Sequence, residues 1–114
     1  MNVMRNNLQN VKLFMVALDE KNSERTLIGS ILCKARKLDT ILLEENVKIS
    51  SHDLIKIDVE GMALNVLRGG LVMLKESKPR LIIELHKGEE SVENLLKKLG
   101  YRLLKPANRY IVAF

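Results

Sequence analysis

Short, nearly continuous apolar runs alternate along this chain with segments whose apolar positions recur every three or four residues. That alternation predicts an α/β chain with parallel strands covered on both faces. Val11 to Leu18 is apolar nearly throughout and predicts a covered, central strand. Leu54 to Val59 predicts a second, interrupted by Lys56, which must snorkel or mark an open stretch of one face. Ala63, Val66, Leu67, Leu71 and Leu74 then follow at helical spacing. Pro79 closes this connection, and Leu81 to Leu85 predicts a further buried strand. Val92, Leu95, Leu96 and Leu99 form an i, i+3, i+4, i+7 stripe, so Ser91 to Leu99 is an amphipathic helix, with Gly100 as its stop and Lys97 and Lys98 favourably placed in its last turn. Tyr101 to Leu104 and Arg109 to Phe114 predict an antiparallel hairpin around a turn, Lys105 to Asn108, that contains Pro106.

Other segments are less decided. Met1 to Gln9 is polar and asparagine-rich and suits the end of a helix. Asp19 to Ser23 is a polar turn. Arg25 to Cys33 has apolar residues at both spacings, Gly29 breaks either pattern, and a strand is the expectation. Lys37 to Val47 predicts a short helix capped by Asp39, with Leu38, Ile41 and Leu42 on its apolar side. Lys87 to Glu90 is a polar loop. Gly61 permits an abrupt turn after the Leu54 to Val59 strand. Gly69 and Gly70 each cost a helix up to ~1 kcal/mol relative to alanine, which points to a close helix-to-sheet approach that only a missing side chain allows.

Strand, helix and strand from Asp53 to Glu84 form a βαβ unit, whose crossover should be right-handed with its strands parallel. Ligands of open parallel sheets bind beyond the carboxyl ends of the strands. Asp58 and Glu60 end one strand, and Glu84 and His86 end the other, so all four are expected to face one crevice. Asp58 and Glu60 share a face if the strand continues, and would then bind a hard cation or orient a sugar hydroxyl. The alternative is that one pairs with Lys56 or caps the next helix. Glu84 is an acid among buried apolar neighbours, costly unless it reaches the rim or a partner. With His86 it forms a pair suited to be base and orienter, or metal ligands, against the alternative of a hydrogen-bonded structural histidine. His52 falls at the opposite end of its strand.

The segments LDTILLEENVKISSHDLIKIDVEGMALNVLRGG and KPRLIIELH resemble the FkbM-type S-adenosylmethionine-dependent methyltransferases. The family's LD-x-LL segment appears as LDTIL with Ile41 at the first leucine, and its IDVEG strand end and its acid-terminated following strand are both present. Upstream, NNLQNVKLFMVALDEKNSE is similar to the family's third strand and the turn after it. The resemblance implies the carboxyl-terminal part of a Rossmann-like class I methyltransferase fold, a single domain over residues 1–114 that lacks the first two strands and their glycine-rich cofactor turn. It implies S-adenosylmethionine as cofactor, with Ala17, Leu18 and Asp19 near the adenine, and a hydroxyl of a sugar or other small metabolite as acceptor. Two positions depart from the family. Ala63 stands where an acid is usual, and Asn65 where a second acid or a polar residue is common.

Composition narrows the partners. No apolar run approaches the ~18 residues of a membrane-spanning helix, and no secretory signal is visible, so a cytoplasmic location is expected. Cys33 is the sole cysteine and reads as a small apolar residue. The net charge of +5 is scattered among acids, its densest cluster being Lys34, Arg36 and Lys37, and aromatic residues are only 4%. Few platforms for base stacking remain, so nucleic-acid binding is not expected. Three readings stand: part of an O-methyltransferase whose cofactor half is a separate polypeptide or was lost by truncation, a non-catalytic remnant acting as interaction module or oligomer through an exposed sheet edge, and a small basic nucleic-acid binder.

Overall fold

The computed structural model describes residues 6–28, 30–86 and 89–114. Its strands form two sheets. In the first, β1 (Ala17–Leu18) runs parallel to β3 (Ile31–Arg36), which pairs antiparallel with β2 (Ser23–Ile28) in the order β1-β3-β2. The stretch expected as one strand, Arg25 to Cys33, is therefore a hairpin. Gly29 lies outside the described residues, and Ile28 stands opposite Ile31.

The second sheet has the order β4-β5-β7-β6, made of β4 (Leu54–Ile57), β5 (Arg80–Glu84), β6 (Leu103–Ala107) and β7 (Tyr110–Ala113). β4 and β5 are parallel, with Leu54 opposite Arg80 and Ile57 opposite Ile83. β7 is antiparallel to both β5 and β6, so the expected C-terminal hairpin is present. The two edges of this sheet differ. Pro106 and a register shift between Leu104 and Ala107 interrupt β6, and both devices blunt an edge against further pairing. β4 has no strand beyond it among the described residues.

Val11 to Leu18 departs from expectation. Only Ala17 and Leu18 are strand, and Leu13, Phe14 and Met15 are exposed, Met15 to 82%. An apolar run becomes a strand only where neighbours accept its backbone hydrogen bonds, and β3 reaches just these two residues. Of the helix end expected over Met1 to Gln9, residues 1–5 lie outside the described residues, and 6–9 are turn and bend.

Four helices complete the described chain: α1 (Leu38–Glu44), α2 (Ala63–Gly69), α3 (Leu71–Glu76) and α4 (Glu90–Lys98). The segment expected as one helix before Pro79 breaks at Gly70, and Asp39 explains how the break is held. Its carboxylate accepts hydrogen bonds from the backbone N–H groups of Val72 and Met73 at 2.9 and 3.0 Å. Asp39 thus caps α3 from across the fold. The local capping expected of it does not occur, and α1 has no side-chain cap.

Gly69 supplies a close approach, but to the turn after β1 and the start of α1 where a sheet was expected. A β-carbon there would lie 2.3 Å from the carbonyl oxygen of Asp19 and 3.3 Å from the backbone nitrogen of Leu38. Gly61 has φ +70°, the left-handed region its turn demands. Between helices and sheet, Leu67, Leu74, Leu81, Ile83, Leu96 and Ile111 are buried, each contributing roughly 2 kcal/mol of transfer free energy. Tyr101 seals one end of this core, donating from its hydroxyl to the carbonyl of Pro79 at 2.8 Å.

Candidate active site at the ends of the parallel strands

β4 and β5 run parallel in register, so the chain leaves both at the same end. There the structure brings Asp58, Glu84 and His86 together, with one ligand-capable atom from each lying within 4.8 Å of the others. Asp58 is exposed, while Glu84 and His86 are half-buried. Glu84 avoids the cost of a fully buried acid because it is the last residue of β5 and sits at the rim. Nε2 of His86 is shielded from solvent and has no hydrogen-bond partner among the described residues. Among the described residues, no hydrogen bond or ion pair reaches the carboxylate of Asp58 or of Glu84. Neither alternative for Asp58, a pair with Lys56 or a cap on α2, is therefore realised.

The fourth expected residue, Glu60, is exposed and stands apart from the trio. It lines a neighbouring cleft of about 810 Å³ together with His86, Glu89, Lys105 and Arg109. Lys105 pairs there with Glu93. His52 precedes β4 and so lies at the other end of that strand.

Glu89 was not singled out from the sequence, yet it organises the lip. It is only 6% exposed. One carboxylate oxygen accepts from the backbone N–H of Ala63 at 2.9 Å, at the start of α2. The other accepts from the backbone N–H of His86 at 2.8 Å. Charge-assisted bonds of this kind are about twice as strong as neutral ones, so Glu89 ties the first turn of α2 to the end of β5 and fixes the backbone that carries His86. The sequence signal available was an acid at the N-cap position of α4. Its side chain makes no such cap, and its two partners are distant or irregular in sequence. Lys87 and Gly88, in the loop expected before α4, lie outside the described residues.

Of the three residues expected near the adenine, Leu18 lines an apolar hollow of about 420 Å³ whose wall also includes Asp58, Leu38, Leu42 and Ile55. The hollow lies along β4, the strand with the free edge. One carboxylate oxygen of Asp19, Oδ1, accepts from the side chain of Asn65 at 3.0 Å and from the backbone N–H of Glu20 at 2.7 Å. Ala17 is held in β1 opposite Ala35.

Two of the three residues of the basic cluster are engaged within the first sheet. Lys34 and Arg36 both pair with Glu24, and the hydrogen bond from Arg36 holds the Glu24 carboxyl below its ordinary range. Cys33 is a half-buried free thiol. Among the described residues, no helix is long and apolar enough to cross a membrane.

A mixed α/β architecture with polar side chains gathered beyond its parallel strands is one that carries ligand chemistry at that end. Residues 12–103 match the sequence profile of the methyltransferase FkbM domain, and the chain belongs to that family. Its fold is similar to that of methyltransferase FkbM from Methylobacillus flagellatus KT, with a TM-score of 0.54 and 18% identity. The likeness covers 82% of this chain and 26% of that one, so the chain spans about a quarter of its solved relative's length. Among curated proteins none matches it.

Proposed function

We propose that this chain is the carboxyl-terminal, acceptor-side part of an S-adenosylmethionine-dependent O-methyltransferase of Rossmann-like class I fold, acting on a hydroxyl of a sugar or other small metabolite. The convergence of Asp58, Glu84 and His86 beyond two parallel strands carries the reading. The antiparallel β6–β7 hairpin supports it, being how such sheets finish.

When bound, S-adenosylmethionine supplies an electrophilic methyl group. The residues present fit one side of it. Leu18 and Asp58 line a common apolar hollow, whereas Asp19 is committed to Asn65. The sequence holds no glycine-rich turn to cradle the rest. The chain's own work is on the acceptor. Asp58 and Glu84 hold and orient its hydroxyl, and the unpartnered ring nitrogen of His86 receives the proton that oxygen loses. The cleft beside Glu60, bordered by Lys105 and Arg109, is open enough to take the remainder of a small polar acceptor.

The cofactor side is supplied by a segment outside these 114 residues, on this or another polypeptide, one of whose strands pairs with the edge of β4 that no described strand covers. The exposed Val11–Met15 run offers that partner a second place to pair. Titrating S-adenosylmethionine into a mixture of this chain and a polypeptide carrying the glycine-rich turn should give heat that neither partner gives alone. Absence of heat in the mixture would overturn the reading.

A further inference from the structure

The geometry points to a divalent-cation site formed by Asp58, Glu84 and His86, selective for an ion of the Zn²⁺ or Mn²⁺ type. It deepens the acceptor-side reading above, and rests on it only for what the ion does.

Three observations converge. The ligand-capable atoms of the trio lie within 4.8 Å of one another, and two ligands each ~2.1 Å from a common ion stand ~3 to 4 Å apart, depending on the angle between them. Small side-chain rotations close the remaining gap. Two carboxylates adjoin with no lysine or arginine pairing with either among the described residues, so their repulsion is relieved by nothing the described side chains supply. The third member offers a nitrogen lone pair or N–H withdrawn from water, with no partner. A buried polar atom without a partner is uncommon and costly unless something occupies its direction.

The donor set defines the ion. Two carboxylate oxygens alone suit Mg²⁺ or Ca²⁺, and adding an imidazole shifts preference toward Mn²⁺, Fe²⁺, Co²⁺ and Zn²⁺. Cys33 lies in β3, in the other sheet, so a soft thiolate is not part of the set. Glu89 acts as a positioning residue, since its bond to the His86 backbone N–H sets where the ring can reach. An ion held there would take over from His86 the task of activating the acceptor oxygen, acidifying the hydroxyl so that its proton passes to water at the open rim, with Asp58 and Glu84 as the ion's anionic ligands.

The chain has two histidines, and His52 sits at the opposite end of β4, which makes an internal control. Zn²⁺ titrated into the ¹⁵N-labelled chain, without S-adenosylmethionine or any partner, should shift the ring resonances of His86 and leave those of His52 in place. Calorimetry should give one ion per chain. Asp58→Asn and Glu84→Gln, each shown to be folded by its amide spectrum, should weaken binding at least tenfold, while Glu76→Gln on α3 leaves it unchanged. Mg²⁺ at the same concentration should leave His86 unshifted. No stoichiometric uptake, a shift of His52 in place of His86, or undiminished binding by both carboxamide variants would overturn the site. Equal binding of Mg²⁺ would overturn its selectivity. Cofactor heat in the mixed polypeptides with a chelator present, alongside failed Zn²⁺ uptake, would sink the ion and leave the methyltransferase reading standing. The converse pattern would do the reverse.

Discussion

At the scale of single residues, two buried polar groups carry more than their numbers suggest. Glu89 satisfies two backbone N–H groups that no other described side chain reaches. Leaving donors of this kind unpaired costs ~1–3 kcal/mol each, so Glu89→Ala should lower unfolding stability by about 3 kcal/mol in urea. Glu89→Gln keeps one acceptor oxygen and should lose less than half of that. Equal losses would show that the carboxylate is not bridging. Tyr101 gives a pH signature. Burial pushes its phenol up to about 12 from an ordinary value of 10.0, because the phenolate would have to lose water. The raised value favours the neutral form in the folded chain. Its contribution is therefore intact below about pH 10 and is lost between pH 10 and 12, as the unfolded chain ionises first. Urea midpoints should fall more steeply over that window in the wild type than in Tyr101→Phe, where lysine titration is shared and the phenol is absent. Parallel curves would refute the burial effect.

At the scale of elements, helices and strands are held in place by contacts between segments far apart in sequence. Asp39 stops α3 at its start, although a reading of its neighbours assigns it to α1. Any N-cap rule tests only nearby N–H groups, and the two that Asp39 finds are supplied by tertiary packing. The Gly69 site can be separated from ordinary glycine effects by comparing two variants. Gly61→Ala enters open space at φ +70° and should cost about 1–2 kcal/mol from backbone strain. Gly69→Ala should cost a similar or greater amount, roughly 1–3 kcal/mol from overpacking. It alone should also displace Asp19, loosening its bond to Asn65, visible as shifts of the Asp19 and Asn65 amides. Amide shifts confined to α2 would contradict the contact.

At the scale of the whole molecule, one edge of the second sheet is blunted and the other has no strand beyond it among the described residues. β6 carries Pro106 and a bulge. β4 presents Leu54 at 54% exposure beside the apolar hollow, with Lys56 as its only charge. Edges of this type recruit other strands. The isolated chain should self-associate at tens of micromolar, and Leu54→Lys should shift it toward monomer in light scattering without lowering its unfolding free energy by more than about 0.5 kcal/mol. A wild type that stays monomeric at that concentration would show the edge to be protected by means other than pairing.

The sequence by itself determined what depends on short spacings. The parallel β4–β5 pair, the stripe of α4, the terminal hairpin and the acids at the strand ends all follow from periods of two and 3.6 residues, with glycine and proline as punctuation. The meeting of Asp58 with Glu84 and His86 was legible because parallel strands in register must end together. Only the tertiary structure decided which groups pair across long separations. Val11 to Met15 is apolar enough for a strand and stays unpaired, since hydrogen-bond partners are supplied by neighbours and not by the run itself. Asp39, Gly69 and one of the two bonds of Glu89 depend on N–H and carbonyl groups 26 to 50 residues away in the chain, where sequence pattern carries no signal because the energy lies in contacts that exist only once the chain has folded.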